Sequence, residues 1–234
     1  MFMTRNLLVT LAAVLLTGCG DISPGPVQHE TKSIPLDRAE MTRVEIHMGA
    51  GELTVHGGSS NLLDAAFDFD RPGWRPVVNY RSTGVRSDLQ ITQPQDAGGF
   101  GNSRYEWDLQ LNTGVLMDIV TKLGAGQAKM NLGDLNLRSV EMEMGAGEVE
   151  MDLRGRVPSR SYDVRINGGV GQATVRLPRD VGIYATAKGG LGEINVSGLE
   201  RRGDHWVNAA RLDSPVTIRL DVKGGIGEIR IEAD

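Results

Sequence analysis

Residues 140–153 read Val-Glu-Met-Glu-Met-Gly-Ala-Gly-Glu-Val-Glu-Met-Asp-Leu. Val140, Met142 and Met144 alternate with Glu141 and Glu143. After Gly145-Ala146-Gly147, Val149, Met151 and Leu153 alternate with Glu150 and Asp152. A period of two on both sides of a glycine pair predicts strand, turn, strand. The mark recurs six times, starting at Gly49, Gly124, Gly145, Gly169, Gly190 and Gly225, at separations of 75, 21, 24, 21 and 35 residues. Such a series is a stack of similar rungs with insertions before the second and sixth. The predicted fold is all-β: an elongated, stacked β-solenoid-like domain of short strands with Gly-x-Gly turns. Each tight turn needs a positive φ, which glycine adopts without a Cβ clash, and the small or aliphatic central residue is expected to point into the core.

The rest of the chain fits one such unit. Aromatic residues make up only 5% of it, so Val, Ile, Leu, Met and Ala must fill the interior between closely spaced sheet faces. No segment has a 3.6-residue apolar period. Residues 36–115 form an N-terminal sub-region that keeps strand-like pieces at 67–69, 77–80, 89–92 and 105–111, with a glycine-rich exposed loop at 96–102. Residues 116–234 are the regular repeat, interrupted at 199–211 by an excursion or hairpin that carries Trp206. The net charge is −5 with both signs interspersed, which excludes nucleic acid as a partner, because phosphate binding needs a basic surface.

Residues 1–18 read as a lipoprotein signal peptide. Arg5 supplies the positive start, and residues 7–16 form an apolar run too short to span a bilayer. Leu16-Thr17-Gly18-Cys19 resembles a bacterial lipobox, in which the cysteine becomes the acylated first residue of the mature protein. Cys19 is also the only cysteine, so its expected use is lipidation rather than a disulfide. Residues 19–35 are rich in Ser, Pro, Gly and Gln and are expected to form a flexible tether reaching about 20–25 Å. The expected location is the cell envelope, lipid-anchored to a membrane. Gly20 after Cys19 resembles outer-membrane-directed lipoproteins, so the expected membrane is the outer membrane and the expected side the periplasmic one.

Several motifs in chain order resemble one family. Met48-Gly-Ala-Gly-Glu-Leu-Thr-Val55, Trp107-Asp-Leu-Gln-Leu-Asn112, Asn131-Leu-Gly-Asp-Leu-Asn-Leu137 and Lys223-Gly-Gly-Ile-Gly-Glu-Ile229 are similar to the bacterial toast-rack family. That family is related to the C-terminal domain of LiaF-type cell-wall-stress proteins and to adhesin-like proteins with Gly-rich rungs. The resemblance spans residues 34–234. It implies a stacked β-domain in the bacterial envelope and no established catalytic residue.

The remaining motifs have structural explanations. Gly189-Gly-Leu-Gly192 and Gly224-Gly-Ile-Gly227 resemble the opening of calcium-binding nonapeptides, but Ile194 and Ile229 stand where that repeat needs Asp, and both are expected to face a core. No helix follows these glycines to receive a pyrophosphate. His47 and His56 flank the first turn and are conceivable as a surface ligand pair, although solvated strand positions explain them better. Glu52, Gln127, Glu148, Gln172, Glu193 and Glu228 follow the second glycine of each turn and suggest a structural ladder.

The outward acids Glu141, Glu143, Glu150 and Asp152 form a candidate interaction face, with Lys129 expected beside Glu150 and Arg176 beside Asp152. Together these features predict no catalytic residue, no metal and no cofactor. The expected function is a lipid-anchored, non-enzymatic envelope protein that acts as a binding, scaffold or envelope-stress-sensing module, with an envelope protein or polysaccharide as partner. The alternatives are an adhesin-like polysaccharide- or surface-binding module and a glycan-active enzyme. Exposed Trp74, Trp107 or Trp206 would favour sugar binding, and a carboxylate-lined cleft would favour the enzyme.

Overall fold

The computed structural model describes residues 25–94 and 103–234. The signal peptide, Cys19 and the loop predicted at 96–102 lie outside the described residues. The strands in chain order are β1 (Gln28–Ile34), β2 (Met41–Ser59), β3 (Leu63–Phe69), β4 (Val77–Ser82), β5 (Arg86–Thr92), β6 (Tyr105–Asn112), β7 (Leu116–Asn131), β8 (Asn136–Asp152), β9 (Tyr162–Leu177), β10 (Gly182–Ser197), β11 (Glu200–Arg202), β12 (His205–Val207) and β13 (Thr217–Ala233). Two short 3-10 turns, Pro72–Trp74 and Ala209–Arg211, are the only helical pieces among the described residues.

The long strands pair in parallel and in register, Gly126 beside Gly51 and Gly147 beside Gly126. Strand length and connection length together fix their shape. β7 holds 16 residues, about 50 Å if straight. The four residues that lead from it into β8 reach at most about 14 Å, yet β8 starts beside the start of β7, with Asn136 against Leu116. Each strand must therefore double back on itself at its Gly-x-Gly corner, forming two arms that face each other. The inward residues of both arms make the core: Val140, Met142 and Met144 on one side and Val149, Met151 and Leu153 on the other are all nearly or fully buried. At about 1.5–3 kcal/mol for each large side chain removed from water, this aliphatic stack is the main source of stability.

Two glycines at each corner are enforced differently. Gly147 has φ +130°, a conformation unfavourable to L side chains, and a Cβ there would fall inside the carbonyl oxygen of Gly126 in the next rung. The second glycine of all six corners has positive φ. The central residue does not point inward as the sequence suggested. Val170, Ile226 and Leu191 are 51%, 52% and 70% exposed, because they sit at the apex of the bend with their side chains outward. Inside the bend, Ile229 Cδ1 and Ile194 Cδ1 lie within contact distance of where a Cβ would sit on Gly224 and Gly189, whereas Gly168 has room for one and borders an apolar cavity with Ala173 and Ile229.

The rungs do not stack in sequence order. The path is β2-β7-β8-β9-β13-β10, so the C-terminal strand lies between β9 and β10. Ile218, Leu220, Ile229 and Ile231 of β13 are buried, whereas Ile194 of β10 is 38% exposed at the end of the stack. The core expected around Ile194 is thus complete only at Ile229. The predicted hairpin is present: β11 and β12 pair with each other, and β12 covers Tyr184 and Ala185 of β10.

At the other end a last parallel layer, β5 and β6, is followed by antiparallel strands. β5 pairs with the first arm of β2 and β6 with its second arm, and β4, β3 and β1 extend the two sheets. The Gln93 side chain stands in for a missing corner here, its Oε1 accepting from the backbone N–H of Gly49 at 2.6 Å and Ala50 at 3.2 Å. β1 corrects the tether assigned to residues 19–35: residues 28–34 form an edge strand against β3. Only Ile34 in it is buried, so no apolar alternation marks it. It is held by the backbone ladder, by Ser33 Oγ donating to Asp64 Oδ1 at 2.6 Å, and by His29 against Asp68 at 2.7 Å.

Candidate functional site

The doubled-back rung divides the candidate acidic face. Glu141 and Glu143 project from the first arm of β8, and Glu150 and Asp152 from the second, so the two pairs face outward from opposite sheets. The structure does not bring all four together, a correction to the single face expected from alternation alone. Sequence alternation gives inside against outside but not which outside.

Each acid has a cation. Arg165 meets Glu141 at 3.2 Å, Lys122 meets Glu143 at 3.3 Å, and Arg176 meets Glu150 at 3.6 Å. Arg154 binds Asp152 at 2.7 Å and reaches Asp234 at 2.9 Å. Hydrogen bonds from Arg154 hold the Asp152 carboxyl below the usual carboxylate range, against the opposing effect of burial. Lys129 lies beside Glu150 and Arg176 beside Asp152 in register, as expected, and the Arg176 guanidinium makes its ion pairs with Glu150 at 3.6 Å and Glu232 at 3.4 Å. These sheets are alternating-charge surfaces, neutral over short distances.

The other candidate groups are also accounted for. His47 and His56 sit on opposite arms of β2, and His56 Nε2 pairs with Asp108 at 2.8 Å, so they form no ligand pair. Among the described residues no group of three or more His, Cys, Asp or Glu side chains is placed to hold a metal. The glutamate and glutamine ladder is in register across all six corners, and the exchanged strand order sets Glu228 beside Glu193. Asn195 bridges them, donating to Glu228 at 3.0 Å and Glu193 at 3.5 Å.

Trp74 and Trp107 are 4% and 2% exposed and pack edge-on with Tyr105. Trp206 is half-buried beneath the Arg201 guanidinium, 5.6 Å from the ring centre. None is an open aromatic platform. The depressions beside the first corners are open and shallow, lined by backbone and by Glu52, Arg104 and Glu106 on one side and His47, Lys122 and Glu143 on the other.

The feature that sequence analysis missed is an aliphatic ridge on the corners. The first three rungs place Met48, Leu123 and Met144 just before the corner and Ala50, Ala125 and Ala146 at its apex. The last three place Gly168, Gly224 and Gly189 before the corner and Val170, Ile226 and Leu191 at the apex. Bulk moves from inside to outside, and the three exposed side chains line up on adjacent strands. This exchange is visible in the sequence once the apex is known to face outward.

Such a coil, with glycine corners and no assembled catalytic group among its described residues, defines a class of all-β repeat protein. Residues 23–176 match the family model described as the N-terminal domain of toast_rack, DUF2154, and the chain belongs to the toast-rack family. A solved structure of a candidate cell adhesion protein from Clostridium sporogenes ATCC 15579 is 30% identical, with 89% of this chain and 100% of that one covered and a TM-score of 0.85. A candidate adhesin from Bacteroides fragilis NCTC 9343 matches at 8% identity over 90% of this chain and 100% of that one, with a TM-score of 0.29. One from Parabacteroides distasonis ATCC 8503 matches at 10% over 88% and 97%, with a TM-score of 0.27. At those two scores the likeness carries no argument. No curated protein sequence matches the chain.

Proposed function

We propose that this chain is a non-enzymatic, adhesin-like binding module of the bacterial cell envelope, tethered to a membrane through acylated Cys19. The observation that carries this reading is the full-length likeness to the candidate cell adhesion protein of Clostridium sporogenes. The site chemistry agrees: the outward carboxylates are paired with cations on flat sheets, and the acid and base of a glycosidase need an unpaired, oriented pair around a cleft. Two tryptophans are buried and the third is half-buried under Arg201, which favours a protein partner over a polysaccharide. An envelope-stress-sensing role would use the same surfaces. The labelled chain should bind isolated envelope fractions saturably and leave envelope glycans uncleaved. Absence of saturable binding, or release of sugar fragments, would overturn the proposal.

The anchor has its own test. Cys19→Ser should block both acylation and cleavage at that site, read by mass spectrometry as loss of the acylated N-terminal peptide and retention of residues 1–18. A wild-type N-terminus at another residue, without lipid, would remove the anchor from the account.

A further inference from the structure

The end of the stack formed by β10 is open. One side of β10 pairs with β13 from Gly182 to Ser197, while on the other side β12 meets only Tyr184 and Ala185. Among the described residues no strand covers the outer edge of residues 192–197, Gly-Glu-Ile-Asn-Val-Ser. The inward position after each corner shows what is missing. Leu53, Ala128, Val149, Ala173 and Ile229 are at most 9% exposed there, but Ile194 is 38% exposed. Leu191 at the adjoining apex is 70% exposed and continues the ridge of Ile226 and Val170.

Open edges are usually guarded by lysine, proline or a bulge. The opposite end of this molecule is: β1 carries His29, Glu30 and Lys32 on a strand with one buried side chain. Residues 192–197 have no proline and no lysine, and their pairing with β13 continues in register from Gly192 to Ser197. This edge is built to be paired.

We propose that residues 192–197 join two copies of this chain, antiparallel about a two-fold axis at Ile194. Three observations select a second copy. The outermost strand at the far end, β1, is guarded by His29, Glu30 and Lys32 and has one buried side chain, so a two-fold pairing of the free edge with itself, which closes as a dimer, is favoured over head-to-tail addition. An axis at Ile194 keeps Ile194 and Val196 on the core side in both copies, because it pairs even-numbered positions with even-numbered ones. It also sets Glu193 opposite Asn195 of the other copy, the same carboxylate–carboxamide pairing already made inside the chain by Asn195 and Glu228 at 3.0 Å. No like charges oppose one another.

The joint would lie at the far end of the molecule from β1, about 38 Å away at eight strand spacings. In copies tethered as under the proposed function, on which this point rests, the two tethers would then leave opposite ends of the pair.

The test is sedimentation velocity of the full chain in mild detergent, from low to high micromolar concentration, with two variants. Wild type should show a reversible monomer–dimer equilibrium. Ile194→Lys should abolish it, and the surface control Val157→Lys should not. In a Cys19→Ser background, Ile194→Cys should oxidise to a disulfide-linked dimer, because residues on the axis are about 4.5–5.5 Å apart at Cα. Glu143→Cys should not. The cysteine pair decides the matter even if Ile194→Lys disturbs folding. Wild type that stays monomeric, or a dimer indifferent to Ile194→Lys, would overturn the proposal. A monomer that floats with anionic phospholipid vesicles through Leu191 would likewise overturn it, assigning the ridge to a lipid surface. A dimer that fails to bind envelope fractions would keep the pairing and overturn only the proposed binding function.

Discussion

At Gly147 two independent physical demands meet, a positive φ and a neighbouring carbonyl with no room for a Cβ. Gly147→Val should therefore cost on the order of 1–3 kcal/mol in backbone strain alone, with the steric clash adding to it. For a domain of this size the strain alone is a fall in melting temperature of about 2–12 °C, measured by circular dichroism. Glu143→Gln, which breaks only an exposed pair with Lys122, should fall within about 1 kcal/mol of wild type. Asp118 makes a second residue-scale case. It is 4% exposed, and although burial works to raise its carboxyl pKa, hydrogen bonds from Arg138 and Ser139 outweigh that and hold it below the usual range. A carboxyl lowered in the folded state stabilises above its unfolded pKa, and this contribution is lost as pH falls through the folded value. Stability should thus be level above about pH 5 and decline below about pH 4. Arg138→Ala should cost about 1–3 kcal/mol at neutral pH and flatten that acid limb, as read by urea melts across pH.

Elements show how far alternation carries. From residues 140–153 one can read two strands, a corner, the buried set and the outward set, because a two-residue period is local and the core enforces it. The same local rule leaves the two arms' relative placement open, so Glu141 and Glu143 look continuous with Glu150 and Asp152 until the corner is known to reverse the chain. β1 was illegible because six of its seven residues lack a buried partner surface, and its ladder to β3 is made by backbone groups that every residue carries. The division of the acidic face predicts a divided phenotype. Glu141→Gln with Glu143→Gln, and separately Glu150→Gln with Asp152→Asn, should each leave the protein folded, since each exposed pair contributes about 0–1 kcal/mol. If one sheet docks an envelope partner, only one of the two double variants should lose saturable envelope binding. Binding through that sheet should also weaken as salt rises.

On the scale of the whole molecule, the late strand in the middle of the stack has a consequence in time. A chain that emerges from its N-terminus completes β10 before residues 217–233, its only long neighbour, exist. Meanwhile β9 and β10 carry matching corners 21 residues apart, so direct pairing between them is predicted to compete until β13 is available to take its place. Refolding from urea should accordingly show a slow phase for the full chain that is absent from a chain ended at residue 216. Such a shortened chain would be left with the premature pairing as its resting state. Assembly thus ends with an insertion between two strands already laid down, and the sequence of events is set by connection lengths: four residues from β9 to β10, and nineteen from β10 to β13.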